Sequence, residues 1–235
     1  MYTRADYIEA VKVKLEEVSP FSEPDAFIAD SDASVVKPIL SYIDKTLDEA
    51  ARNCLRGLPL SLLHADIEHV TSTGASDGTI AMAIDSSGIG RFSISPTIRP
   101  VRFRHDALKR DITSFITTED SLYLLQQKEY TRGGTAKPVA VWASNDDTME
   151  IYSFPKSMAT PAGQPDTTAV LLGINTYRKP GVAADYDDPT PVIQSPIEDL
   201  IVLECAAMVA QILRDADKAN GWRQEQAAKI QAQLQ

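Results

Sequence analysis

Residues 196–213, PIEDLIVLECAAMVAQIL, decide the fold. Leu200, Ile201, Val202, Leu203, Cys205, Met208, Val209, Ile212 and Leu213 fall on every side of a helix, and only Glu204 and Gln211 interrupt them. A helix that is apolar all the way round has to be surrounded by protein. Ser195, Pro196 and Glu198 read as the N-cap, N1 proline and N3 acid of a capping box, which predicts where the helix starts. The run is too short and too interrupted to span a membrane. The expectation is a central helix with others packed around it, followed by a polar, Gln-rich continuation free to reach another subunit.

The N-terminal part supplies this helix with neighbours. Thr3 with Asp6 reads as a helix start, and Tyr7, Ile8, Val11, Leu15 and Val18 recur at helical spacing until Pro20, predicting a helix over about residues 4–18. After a loop with Pro20 and Pro24, a broad stripe of Val35, Val36, Ile39, Leu40, Ile43, Leu47, Ala50, Ala51, Cys54 and Leu55 predicts a second helix that stops at Gly57. Pro59 then opens a short helical turn carrying Leu60, Leu62 and Leu63.

From Thr71 the apolar spacing changes to alternation, the mark of strands. Residues 80–84 and 89–94 flank the turn Asp85-Ser86-Ser87-Gly88 and predict a hairpin. Further strands are expected over 98–103, 112–116, 139–143, 149–154 and 169–174, with a short helix over 120–127 between them. Half of the 14 prolines lie between Pro155 and Pro196, so residues 176–195 read as an extended arm. Two readings of that arm stay open, a surface excursion and a segment that orders against a neighbouring copy. The expected fold class is α+β. It comprises a helical bundle from residues 1–70 and 196–235, an inserted and mainly antiparallel β region over 71–175, and the Pro-rich arm.

Composition narrows the function. The chain has 235 residues, 43% hydrophobic, and a formal net charge of −10, which opposes nucleic-acid wrapping and favours solubility. A negative wall would nevertheless suit a conduit along which DNA slides. Cys54 and Cys205 fall in apolar helical patterns and read as buried thiols of a cytoplasmically folded chain, without a disulfide. The first residues predict no signal peptide or transit sequence.

Few residues of the chain fall in patterns that carry chemistry. His64 and His69 are five apart and His105 stands alone, so no metal-ligand spacing emerges, and Asp66 and Glu68 beside the first pair read as solvated residues at a helix-to-loop transition. Asp185, Asp187 and Asp188 lack the Gly and the final Glu of a calcium loop. Gly88-Ile89-Gly90 and Gly133-Gly134 lack the context of a phosphate loop, and there is no nucleophile elbow. No catalytic residue, cofactor or metal is assigned. Arg99, Arg102, Arg104, Lys109 and Arg110 form a dense basic run with Phe103 alone for stacking, so meeting acidic residues of a neighbouring subunit or facing water suits it better than binding DNA. Trp222, Gln226, Ile230 and Leu234 recur at four-residue steps beyond a break expected at Asn220-Gly221. That stripe reads as too narrow for a monomer's own core but sufficient for docking in a partner's groove, with Trp222 as anchor.

The words themselves add a resemblance. Paired N-terminal helices ending in Asp48-Glu49-Ala50-Ala51-Arg52 and Gly57-Leu58-Pro59-Leu60-Ser61-Leu62-Leu63, a central β region and a long C-terminal helix resemble head-to-tail adaptor, or connector ring, proteins of tailed bacteriophages. Tyr123-Leu124-Leu125-Gln126-Gln127, Tyr130-Thr131-Arg132-Gly133-Gly134 and Lys137-Pro138-Val139 are similar to a segment of ring proteins in short-tailed crAss-like phages. The resemblance implies a virion structural protein, not an enzyme, made in the host cytoplasm and placed at the portal vertex. It further implies a closed homo-oligomeric ring of about twelve copies that presents two different surfaces at each contact. Its partners would be the portal protein and an adjacent tail or ring protein, with DNA only passing through the channel and no membrane involved. Trp222, Ile230 and Leu234 become the candidate docking residues, and Arg102, Arg104 and Arg132 the candidate interface cations. Two other classes remain open. One is a metal-dependent hydrolase built on Asp185, Asp187, Asp188 and a histidine; the other is a non-virion module binding a ligand in the β region.

Overall fold

A computed structural model describes residues 2–17, 33–72, 74–128, 130–132, 134–143, 147–181 and 191–234. The chain is α+β and divides into two compact units, a helical one formed by Met1–Asp66 with Thr176–Gln235 and a sheet unit formed by Ile67–Asn175.

In the helical unit, helix α1 spans Arg4–Glu17 and α2 spans Ala33–Gly57. The start of α1 is held by reciprocal bonds: the Thr3 N–H and hydroxyl both donate to Asp6 Oδ2 at 2.7 Å, and the Asp6 N–H donates to Thr3 Oγ1 at 3.2 Å. Arg4 then ties α1 to α2 through Asp44 and Asp48 at 2.8 and 2.7 Å. The stripe Ile43, Leu47, Ala50, Ala51, Cys54 and Leu55 is buried along α2. Helix α4, Glu198–Ile212, packs against α1, α2 and the following helix α5, Ala216–Gln233. Leu200, Ile201, Val202, Leu203, Cys205, Ala206, Ala207, Val209 and Ala210 are all buried, which is why no polar face is needed on α4. Its burial runs out at the last turn, where Ile212 and Leu213 are exposed.

The structure differs from three local expectations. Ser195 does not cap α4, because the helix begins at Glu198 behind Ile197, which makes no side-chain cap bond. The stretch before it is held by Asp66 instead, fully buried, whose two carboxylate oxygens accept the N–H groups of Gln194 and Ser195 at 2.8 and 3.0 Å. Among the described residues, Ser195 Oγ has no hydrogen-bond partner. The break in the C-terminal region falls at residues 213–215, not at Asn220-Gly221: Arg214 takes φ 62°, Asp215 accepts the Lys218 N–H at 3.1 Å, and α5 runs through Asn220 and Gly221. Finally, the narrow stripe on α5 does suffice for the chain's own core. Trp222 is buried, and Gln226 Nε2 donates to the Leu200 carbonyl at 3.0 Å, because the all-round apolar surface of α4 offers α5 a matching face.

Of the arm expected over 176–195, residues 182–190, with the three aspartates, lie outside the described residues. Its two ends are joined within the helical unit by a bridge between Lys179 and Val192, and by Arg178, whose Nη1 donates to the Val192 carbonyl at 3.1 Å and stands 3.7 Å from Asp66. Gly181, at φ 91°, rests against the backbone of Thr3 and Arg4, where a Cβ would not fit.

In the sheet unit, eight strands, β1 Ile67–Val70, β2 Ile80–Ile84, β3 Ile89–Ser93, β4 Ile98–Arg104, β5 Phe115–Thr117, β6 Val139–Ala143, β7 Thr148–Tyr152 and β8 Asp166–Asn175, form one sheet in the order β1-β8-β2-β3-β7-β6-β5, with β4 also on β8. Every pairing is antiparallel except β5 with β6. The β2–β3 hairpin closes through Gly88 at φ 75°, with the Phe154 carbonyl where a Cβ would lie. A register shift between Pro100 and Arg102 lets β4 carry a proline that cannot donate to the ladder. Ile80, Met82, Ile84, Phe92, Phe103, Met149, Ile151 and Leu171 fill the core, with Phe92 stacked on Phe103 at 5.8 Å. Strand β1 occupies what reads in the sequence as a helix-to-loop transition; four residues are too few to show alternation. The strand expected over 112–116 lies at 115–117, and Ile112 makes only a lone bridge to Phe103.

Candidate subunit interface

The segment from Asp120 to Arg132 is folded onto the sheet by polar groups and Tyr123, while its three leucines and Tyr130 face away. Asp120 caps helix α3, Ser121–Gln126, by accepting the Leu122 N–H at 2.8 Å. Six residues give a helix one inward stripe, and here it is Tyr123 and Gln126, three apart. Tyr123 packs on the small cluster of Ile89, Val141 and Tyr152. The outward positions are Leu122, Leu124 and Leu125, exposed to 50%, 68% and 46%, and Tyr130 beyond them is 82% exposed. Among the described residues these four are all the exposed large hydrophobics of the sheet unit.

Arg132 is the pin of this arrangement. Its Nε donates to the Gln126 carbonyl at 3.0 Å, its Nη1 to the Ser87 carbonyl at 2.8 Å, and its guanidinium lies 5.2 Å over the Tyr152 ring. Thr131 Oγ1 donates to the Leu125 carbonyl at 2.5 Å. Beneath, the Tyr152 hydroxyl donates to Glu150 at 2.5 Å and accepts from Gln127 Nε2 at 3.1 Å. Burial and the neighbouring Glu150 carboxylate push the Tyr152 phenol well above its ordinary pKa. Glu150 and Asp85 both take Arg91, at 2.8 and 2.7 Å, so the platform rests on a connected polar network.

Lys109, Arg110, Lys128 and Lys137 are exposed, and the Lys109 N–H donates to the Thr135 carbonyl at 3.1 Å, which joins the 105–111 loop to the 130–138 loop. An exposed apolar patch on a segment pinned from below by hydrogen bonds is suited to protein contact.

The residues singled out from the sequence are placed differently. Arg132 holds the platform from within instead of facing outward as a free interface cation. Arg102 is paired with Asp111, and Arg104 is exposed, 3.9 Å from Asp106. Trp222 is covered within its own chain, Ile230 is half-buried beside α2 and α4, and Leu234 is exposed. Leu122, Leu124 and Leu125 are absent from the site residues expected from the sequence; the signal for them is a run of three Leu and two Tyr within nine residues on a helix too short to bury them.

His105 is buried, its Nδ1 accepting the Ala107 N–H at 3.0 Å and its Nε2 facing Asp166 at 3.1 Å and Thr168 at 3.2 Å. Partial burial opposes it, yet the bonds from the Thr168 N–H and hydroxyl and from His105 hold Asp166 below the usual carboxylate range. Cys54 and Cys205 are buried free thiols; burial pushes both up, Cys205 to about 11. Among the described residues, no group of three His, Cys, Asp or Glu is placed to hold a metal, and no helix is long and apolar enough to cross a membrane.

No family model matches the chain, and no curated protein matches it. The functional reading therefore rests on the resemblance of its words and on the geometry of its surfaces.

Proposed function

We propose that this chain is a virion structural protein, a subunit of the head-to-tail connector ring that docks on the portal of a tailed bacteriophage and forms part of the DNA channel. One observation carries the reading. The words that resemble phage ring proteins, Tyr123 to Gln127 and Tyr130 to Gly134, are the same short stretch in which the sheet unit exposes its large apolar side chains. A segment with no reason to be apolar in an isolated chain has one in a ring. In this reading the helices act as a bundle, residues 176–195 as an arm, and Ile230 and Leu234 meet the portal or an adjacent ring member. A closed ring uses two unlike surfaces per subunit, repeated about twelve times. The net charge of −10 keeps the channel from holding DNA and the free subunit from associating before its template is present.

Immunogold labelling of purified virions with antibody against the chain tests this. Gold at one vertex per particle is the expected result; labelled cell extract with bare virions would overturn it.

A further inference from the structure

The turn between α4 and α5 is built from residues that suit the inside of a helix. From Ile197 to Asn220 the chain has neither glycine nor proline, and Cys205, Val209, Ile212, Ala216 and Ala219 continue an apolar row, at alternating steps of four and three, straight through the break. The backbone turns nevertheless. The Arg214 N–H donates to the Gln211 carbonyl at 3.0 Å and the Asp215 N–H to the Ala210 carbonyl at 2.9 Å. This closure puts one residue in the left-handed region, where glycine is the usual occupant, and here it is Arg214 at φ 62°. The apolar contact that commonly seals such a turn would join positions 215 and 210, and one of them is Asp215. Ile212 and Leu213 stay exposed beside it. What favours the turn is Asp215 as N-cap of α5, and the seat that α5 finds on α4: Ala219 and Trp222 buried, Gln226 Nε2 donating to the Leu200 carbonyl, and Lys229 3.3 Å from Asp199. Every other copy presents the same seat. A short strained connection between an element and a surface that each copy carries is the condition for exchanging that element between copies.

We infer that residues 213–215 are a hinge and that α5 of one copy seats on α4 of the next. Straightened, residues 198–233 make one helix of about 54 Å, Arg214 leaves the left-handed region, and the contacts of α5 re-form across the subunit boundary. Ile230, beside Asn53, Leu58 and Glu204 within one chain, then becomes a contact between two. Each copy gives one helix and receives one, and the giving and receiving surfaces differ, so the exchange passes head to tail. In carrying the exchange around a ring, the inference rests on the ring-subunit reading and supplies its contact with the adjacent ring member.

The test uses the full chain with Asp199→Cys and Lys229→Cys, both exposed, while Cys54 and Cys205 stay buried. Heavy- and light-isotope protein are unfolded together, refolded at the highest concentration the protein tolerates, treated with a short bismaleimide, and the links between positions 199 and 229 are mapped. Links joining heavy to light chains are the expected product. Arg214→Gly, which relieves the strain of the turn, should lower their yield about fivefold or more. Links confined to one isotope, no link at all, or a yield of mixed links unmoved by Arg214→Gly would overturn the inference. The two readings fail separately. Mixed links in a chain that virions lack would keep the exchange and remove the connector. Virions that contain the cysteine variant and release it after cross-linking only as single chains would keep the connector and remove the exchange; a ladder of linked chains is the expected result.

Discussion

Arg132 lies with its guanidinium 5.2 Å over the ring of Tyr152, and the same side chain donates to the carbonyls of Gln126 and Ser87. One cation thus binds the exposed α3 segment to the β2–β3 turn and to the sheet beneath. Arg132→Ala removes a cation–π contact and two charge-assisted hydrogen bonds, and the expected loss is about 1–3 kcal/mol. Chemical denaturation would measure it, and limited proteolysis should show new cuts between residues 120 and 132. Unchanged cutting would mean the segment is held by other contacts.

Asp66 is fully buried and gathers the N–H groups of Gln194 and Ser195, with Arg178 alongside. Removing the carboxylate strands two backbone donors and a buried cation. Asp66→Ala should therefore cost about 3–5 kcal/mol. A urea midpoint within error of the wild type would show that water replaces the carboxylate freely.

Gly221 sits inside α5 with nothing within 4 Å of where a Cβ would be. Neither a turn nor a close approach requires glycine there. Gly221→Ala is expected to stabilise the chain by about 0.5–1 kcal/mol by thermal or chemical unfolding. A destabilised variant would mean that the helix breaks at this residue.

Asp85 and Asp166 are both held below the ordinary carboxylate value of 3.8; partial burial opposes this in each, while hydrogen bonds from Ile89 and Arg91, and from Thr168 and His105, prevail. A depressed folded-state pKa adds stability that is fully present above the unfolded value and is lost as pH falls through the folded one. The stability difference between wild type and Asp166→Asn should accordingly stay constant above 3.8 and shrink below it. A difference that grows on acidification would contradict the assignment.

Much of the fold was legible because its signals are periodic. The apolar circumference of α4 announces a surrounded helix, and the alternation on either side of Asp85-Ser86-Ser87-Gly88 announces the hairpin. What could not be read depends on distant partners. Ser195 looks like an N-cap until Asp66, far earlier in the chain, is seen to hold the stretch before the helix. Asn220-Gly221 looks like a break because local propensity favours one there, whereas the packing of Trp222 against the rest of the helical unit keeps α5 continuous and the turn forms at Arg214. Residues 67–70 are too few to display a period. At the candidate interface Arg132 is visible as a basic residue, but its role is not: three hydrogen-bonding and stacking partners, spread from Ser87 to Tyr152, make Arg132 internal and leave Leu122, Leu124 and Leu125 outside.

The central claim is that the chain is built into virions as a ring. Quantitative peptide mass spectrometry on purified particles, comparing its copy number with that of the portal protein, tests this most directly. A connector ring predicts a ratio of about one; particles free of the chain, or holding it only in trace amounts, would contradict it.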